Sequence, residues 1–378
     1  MKTNVVRQIM MEAAGKFTDV IELQIGEPGG DTPAFIIEAA KRALDEGHTH
    51  YTENAGCRVL REAVATRMDR KYGVKADPDR VIISPGAVAS LHVALLSLVD
   101  VGEEVLVPDP GYPNYEGLVF LLNGQPVFYP TRKERNFIPD IGEMEARITP
   151  NTKAIIVNSP NNPTGAVYPR ETWEQLLDLA ERHDLYVISD EIYDEMVYEG
   201  EAVCPLAVRP DLAERIISIN GFSKGYLMTG WRLAYMVVPE HLVTLMCKLQ
   251  EPTTTCAAAF TQMAGAAALN DGQEALAAMR DTCRRQRDLA CSLLEQYRVP
   301  YVKPHAAMYI LVDISATGMT SAAFARELLY ERHVMVAPGE GFGPGGCDFV
   351  RICFAGDAAR LEEGLRRLGE FFAAKAQR

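Results

Sequence analysis

Lys224 stands in a Ser-Lys-Gly turn directly after the apolar stretch Ile216-Ile217-Ser218-Ile219, and Arg232 follows eight positions later in NGFSKGYLMTGWR. Burial disfavours an ammonium, so a lysine at the end of a buried strand titrates low, and its free amine is a nucleophile toward a carbonyl carbon. Other reactive groups stand at the ends of other apolar runs. Pro85-Gly86-Ala87-Val88 follows RVIIS (80–84) and opens a helical stretch. Asp109-Pro110-Gly111-Tyr112 follows EVLVP (104–108), and Ser159-Pro160-Asn161-Asn162-Pro163-Thr164-Gly165 follows KAIIVN (153–158). LYVISD (185–190) ends in Asp190, with Glu191-Ile192-Tyr193 next. If these runs are parallel strands of one sheet, their ends converge at the carboxyl edge, where open α/β sheets bind ligands. The assembled parts are a helix N-terminus, an aromatic ring, an amide, a carboxylate, a phenol and an amine.

Pyridoxal phosphate needs that set. Its phosphate suits the backbone N–H groups at a helix start, here Gly86-Ala87-Val88, with Arg232 as a permanently charged second clamp. Its ring suits a flat partner, Tyr112. A protonated pyridine nitrogen needs a buried carboxylate, Asp190, if the ring is to withdraw electrons. Its phenolic oxygen suits donors from Asn162 and Tyr193. Its aldehyde needs an amine, Lys224.

The elements that must position these groups follow from the rest of the chain. From about residue 80 to 240, seven short β-rich runs alternate with helical stretches such as 87–99, 112–122 and 170–183. The remaining runs are PVFYP (126–130), RIISIN (215–220) and LAYMVV (233–238). Most are solidly apolar, the pattern of strands buried on both faces, so a mostly parallel sheet covered on both sides is expected. The seventh run follows the sixth so closely that an antiparallel return is the natural connection. After residue 275 a charged helix leads into YILVDI, a helix over 320–332, VMVAPG, FVRICFA and a terminal helix over 357–375, which reads as a smaller α+β unit. The expected division is 1–30 as an N-terminal arm, 31–275 as the large cofactor-binding domain and 276–378 as the small domain. The first 30 residues read as loop-rich and pack beside the small domain.

Composition narrows the function classes. The 378 residues carry 38 Lys and Arg against 51 Asp and Glu, a net charge of −13, which argues against a nucleic-acid or anionic-membrane partner. Hydrophobic content of 48% supplies a large core. Eight scattered cysteines form no C-x-x-C pair and MKTNVVRQIM has no apolar signal core, so a reduced, cytoplasmic protein is expected. The longest apolar stretches, 87–99 and 256–269, are too short or too polar to span a bilayer and read as buried helices. The glycine-rich GEGFGPGG (339–346) is followed by a strand instead of a helix, so it reads as a loop near the substrate and not a dinucleotide site. HTH (48–50) lacks partners at metal-ligand spacing.

In order along the chain, NSPNNPTG, SDEIY and SKGYLMTGWR resemble the fold-type I aminotransferases of the class I/II group, the aspartate aminotransferase superfamily. IGEP near residue 25 and YTENAGCRVLREAVA (51–65) resemble its N-terminal elements, and FVRICFA (349–355) resembles its C-terminal substrate strand. The resemblance covers nearly the whole chain. It implies a seven-stranded large domain with a small domain built from both chain ends, and a homodimer with its active site at the subunit interface. It implies that Lys224 makes the covalent link to the cofactor and then moves the substrate's Cα proton, and that Asp190 pairs with the pyridine nitrogen. Asn162 and Tyr193 hold the phenolate oxygen. Ala87, Val88, Ser223 and Arg232 hold the phosphate, joined by Tyr51 from the neighbouring subunit. Arg351 clamps the substrate α-carboxylate with Gly26 and Asn162 close by. The implied reaction moves the amino group of an L-amino acid to a 2-oxo acid by a ping-pong mechanism. Gly221 stands where some relatives carry a polar residue. Val88 stands where an aspartate-specific branch carries lysine, which points to a neutral or aromatic donor. The alternative on the same scaffold is a C–S β-lyase or decarboxylase, since fold alone does not settle chemistry.

Overall fold

The computed structural model describes residues 5–17 and 19–376. Its centre is a seven-stranded sheet built from β1 (Val81–Ser84), β2 (Glu104–Asp109), β3 (Gln125–Pro130), β4 (Thr152–Asn158), β5 (Tyr186–Asp190), β6 (Ile216–Gly221) and β7 (Ala234–Val237). The spatial order is β1-β7-β6-β5-β4-β2-β3. β7 runs antiparallel to both its neighbours, and the other pairings are parallel. The sheet is therefore the mostly parallel one expected, including the antiparallel return of its last strand.

The solidly apolar runs have the predicted cause. Successive residues of a strand point to opposite faces. Ile155 and Val157 enter one hydrophobic layer with Leu106, Val187 and Ile216, while Ala154 and Ile156 enter another with Val105, Ile188 and Ile217. All of these side chains are buried. The helix Ala87–Leu98 packs on the second layer through Leu91, Val93, Ala94 and Leu95. The helices Arg58–Tyr72 and Ala259–Asp271 pack on the first through Leu60, Val64, Ala264 and Ala268.

A second sheet, antiparallel, has the order Ala337–Pro338, Phe349–Cys353, Tyr309–Asp313, Tyr301–Val302. The helices Gln273–Gln296, Ser321–Arg332 and Ala358–Ala376 accompany it. Two details differ from the sequence reading. Residues 5–13 form a helix, although the first 30 residues read as loop-rich. Ile9 and Ala13 are its buried residues, on one face with the partly buried Val5 and Val6, and the Arg326–Glu12 ion pair at 3.0 Å ties it to the helix Ser321–Arg332. VMVAPG is not one strand. Val334–Met335 pairs in parallel with Ile21–Glu22, and the chain changes partner at Val336 so that Ala337–Pro338 joins the antiparallel sheet.

Candidate active site

Register decides what meets at the sheet's carboxyl edge. Asn158, the last residue of β4, lies beside Asp190, the last of β5, and Asp190 lies beside Ile219 of β6. The turn after β6 then carries Ser223 and Lys224 over the same edge. A cavity of about 330 Å³ opens there. Gly26, Ala87, Val88, Tyr112, Asn162, Asp190, Tyr193, Ser223, Lys224, Arg232 and Arg351 all line it. Tyr51 does not: its side chain is 88% exposed on the surface of the single chain.

The Lys224 Nζ donates to the Gly26 carbonyl at 2.6 Å. Burial pushes its amine down to about 8; Arg351 and Arg232 push the same way, and Cys353 and Glu27 oppose them. Burial likewise raises the Asp190 carboxyl, against hydrogen bonds from Tyr115 and the Ile192 N–H and the nearby Lys224. Tyr115 Oη donates to Asp190 Oδ2 at 2.7 Å, and Asn158 Nδ2 donates to the Asp190 carbonyl at 2.9 Å. Asp190 is thus held from two sides, on a residue 4% exposed. Tyr112 stands edge-on to Tyr115, ring centroids 5.5 Å apart.

Arg351 reaches the cavity from the other sheet. Its Nη1 donates to Asn162 Oδ1 at 3.0 Å and its Nη2 to the Gln24 carbonyl at 2.6 Å, while its buried Nε has no partner. Its guanidinium carbon lies 4.2 Å from the centroid of Tyr309 and 4.7 Å from that of Phe342. Tyr309 Oη in turn pairs with Tyr193 Oη at 3.0 Å.

Before the cavity-lining Ala87 and Val88, Gly86 has φ 98° and precedes the helix Ala87–Leu98 without a side-chain cap. The first N–H groups of a helix have no intrahelical partner, so those of the cavity-lining Ala87 and Val88 suit an anion. The Arg232 guanidinium occupies the place a Cβ on Gly86 would take. An uncapped helix start, a guanidinium against it, a buried carboxylate and a half-buried lysine of lowered pKa fit pyridoxal phosphate, whose phosphate, pyridine nitrogen and aldehyde they match. Gly221 has its own reason: a Cβ there would lie 2.9 Å from the Ala234 Cβ and 3.1 Å from Ile192 Cδ1. The contact between β6 and β7 excludes a side chain at that position.

Sequence reasoning missed Tyr115, Asn158, Tyr309 and Thr229. Tyr115 was findable, because it follows Tyr112 by three residues at the start of the helix Asn114–Leu121 on the same sheet edge. Asn158 ends a strand on the same edge as Asp190. Tyr309 had no linear signal, since it reaches the cavity through its antiparallel pairing with Cys353.

A profile of the family described as Aminotransferase class I and II matches residues 18–368. The aromatic-amino-acid aminotransferase 2 of Thermococcus litoralis is 40% identical over 362 residues, covering 95% of this chain and 93% of that protein. The aspartate aminotransferase of Pyrococcus abyssi is 40% identical over 366 residues, covering 96% and 94%. The crystal structure of an aromatic aminotransferase from Pyrococcus horikoshii OT3 superposes with a TM-score of 0.92 at 39% identity, covering 97% of this chain and 99% of that one. Fold and comparisons together define a fold-type I pyridoxal phosphate enzyme. The chain belongs to the class I and II aminotransferases. Pyridoxal phosphate is its cofactor and amino-group transfer its reaction; the β-lyase or decarboxylase alternative is not favoured. No described helix is long and apolar enough to cross a membrane.

The lowered amine has a measurable consequence. Attack on an aldehyde needs the neutral amine, and below its pKa the neutral fraction falls tenfold per pH unit. Loading of the apo-protein with pyridoxal phosphate should therefore accelerate up to about pH 8 and level off above it. Stopped-flow absorbance across pH 6.5 to 10.5 measures this, and a rate still climbing tenfold per unit near the ordinary lysine value of 10.5 would contradict it.

Proposed function

We propose that the enzyme transfers the amino group of a neutral or aromatic L-amino acid to a 2-oxo acid by a ping-pong mechanism, with the residue roles that follow. When bound, pyridoxal phosphate supplies the carbonyl carbon that takes up the amino group and the electron-withdrawing ring that stabilises charge at the substrate Cα. Arg351 binds the α-carboxylate, its plane fixed by Asn162 and the Gln24 carbonyl, with Gly26 forming the adjacent wall. Lys224 holds the cofactor covalently in the resting enzyme, then takes the proton from Cα and returns it. Asp190, anchored by Tyr115 and Asn158, keeps a proton on the pyridine nitrogen. Asn162 and Tyr193 present hydrogen bonds to the phenolic oxygen, Tyr112 covers the ring face, and Ala87, Val88, Ser223 and Arg232 take the phosphate.

The observation that carries this reading is the single cavity where the ends of β4, β5 and β6 meet the guanidinium of Arg351. The donor preference rests on the wall. Val88 and Leu91 are aliphatic, and each of the three cations among the described lining residues, Lys224, Arg232 and Arg351, already has a task. None is left to receive a second carboxylate. Family likeness offers 2-oxoglutarate or pyruvate as the amino acceptor, and the same wall favours pyruvate, which has no second carboxylate to place. Two further parts belong to this reading. The chain divides into an arm (1–30), a large domain (31–275) and a small domain (276–378). It works as a cytoplasmic homodimer in which the exposed Tyr51 reaches the phosphate site of the second copy; eight unpaired cysteines suit a reducing compartment.

A panel of L-amino acids, each mixed with the loaded enzyme without an oxo acid, tests the proposal through the fall of the visible absorbance in a single half-reaction. Alanine, leucine or phenylalanine should convert at least about tenfold more efficiently than aspartate, the range a pocket gains from apolar against unpaired charged contacts. Faster conversion of aspartate would overturn the donor class. Release of pyruvate and ammonia from a cysteine conjugate without acceptor would overturn transamination.

A further inference from the structure

The glycine-rich segment GEGFGPGG is not used by the reaction as derived, yet it is fastened at both ends. Toward the second sheet, Glu340 Oε2 accepts from Ser321 Oγ at 2.9 Å and from the Ala322 N–H at 3.3 Å, at the start of the helix Ser321–Arg332. Toward the seven-stranded sheet, Asp109 Oδ1, at the end of β2, accepts from the Gly345 N–H at 2.8 Å. The Gly111 N–H donates to the Phe342 carbonyl at 2.8 Å. Asp109 is only 9% exposed, and its own carbonyl is held by the Thr131 N–H at 2.8 Å.

The glycines follow from this approach. Gly343 has φ 119°, and a Cβ there would strike Asp109 Oδ1; a Cβ on Gly345 would lie 3.0 Å from the same oxygen. What the loop delivers is Phe342, buried, with its ring 4.7 Å from the Arg351 guanidinium carbon. Tyr309 lies against the same group at 4.2 Å. A guanidinium packed against two aromatic rings has few orientations left to it, and meeting a carboxylate side-on requires one of them to be fixed.

We propose that Asp109 and Phe342 form a latch between the two sheets that orients Arg351, so that the latch sets affinity for the substrate carboxylate without taking part in proton transfer. This rests on the assignment of Arg351 to the α-carboxylate. Both are positioning residues.

The test uses the loaded enzyme, four latch variants, Asp109→Ala, Asp109→Asn, Phe342→Leu and Phe342→Tyr, and Arg351→Lys as a control. Kinetics are measured with the fastest donor of the panel, propionate serves as a competing carboxylate, and hydrogen exchange is followed over residues 339–346. Asp109→Ala and Phe342→Leu should raise KM and the propionate inhibition constant together by about tenfold, with kcat within twofold of wild type. Asp109→Asn keeps the acceptor oxygen and Phe342→Tyr keeps the ring, so both should stay near wild type. Faster exchange of the loop in Asp109→Ala with unchanged KM and propionate inhibition would overturn the latch. So would an equal loss of kcat in all four variants. Failure of the underlying assignment looks different: there Arg351→Lys itself would leave propionate inhibition unmoved.

Discussion

Replacing Lys224 by alanine should abolish turnover. The substitution removes the amine that tethers the cofactor and the base that moves the Cα proton. A positioned acid–base group alone contributes up to about 10⁴-fold, so kcat should fall by at least that factor. The visible absorbance of the covalently held cofactor should vanish with it. Lys224→Arg is the informative companion: it keeps the positive charge, but a guanidinium is not a nucleophile at any ordinary pH. It should be as inactive as the alanine variant. Both variants should fold, because the side chain faces the cavity and, among the described residues, its only hydrogen bond is to the Gly26 carbonyl. Near-normal activity in Lys224→Ala would sink the whole assignment, since no other lysine lines the cavity among the described residues.

Arg351→Ala should weaken binding of the amino acid by about 2–4 kcal/mol, the loss of a charge-assisted bidentate pair, which is roughly 30- to 1000-fold in affinity. The alanine variant also strips the Asn162 amide oxygen and the Gln24 carbonyl of their donors, so part of its effect is local disorder. Arg351→Lys separates the two. A lysine keeps the charge but cannot hold two fixed bonds and meet a carboxylate side-on, so it should fall between wild type and alanine. An amine substrate that lacks a carboxylate provides the control: its conversion should be insensitive to both variants. Unchanged KM and kcat in Arg351→Ala would remove that residue from the site.

Much of this was legible in the residues themselves. Seven apolar runs matched the seven strands within one or two residues, because strands buried on both faces have no polar alternation to obscure them. Asp190 and Lys224 were findable for a related reason: an ionisable group at the end of an apolar run is out of place unless a ligand uses it. The helix Val5–Ala13 was not found, because its apolar stripe of Val5, Val6, Ile9 and Ala13 spans only nine residues, too few turns for the period to stand out. The break within VMVAPG was invisible for a similar reason. A change of partner strand at Val336 is set by the two sheets it joins, not by the residue.

By itself the sequence determined the chemistry on offer: which amine, carboxylate and guanidinium the chain owns, and that parallel strands would bring most of them to one edge. Tertiary structure decided how they face one another. The Asn158–Asp190 register, the Tyr115 hydrogen bond, the partners of Arg351 and the two rings packed against it join residues up to 327 positions apart. Such contacts leave no periodic trace along a chain, because hydrophobic patterning encodes which face of an element is buried and not what is packed against it.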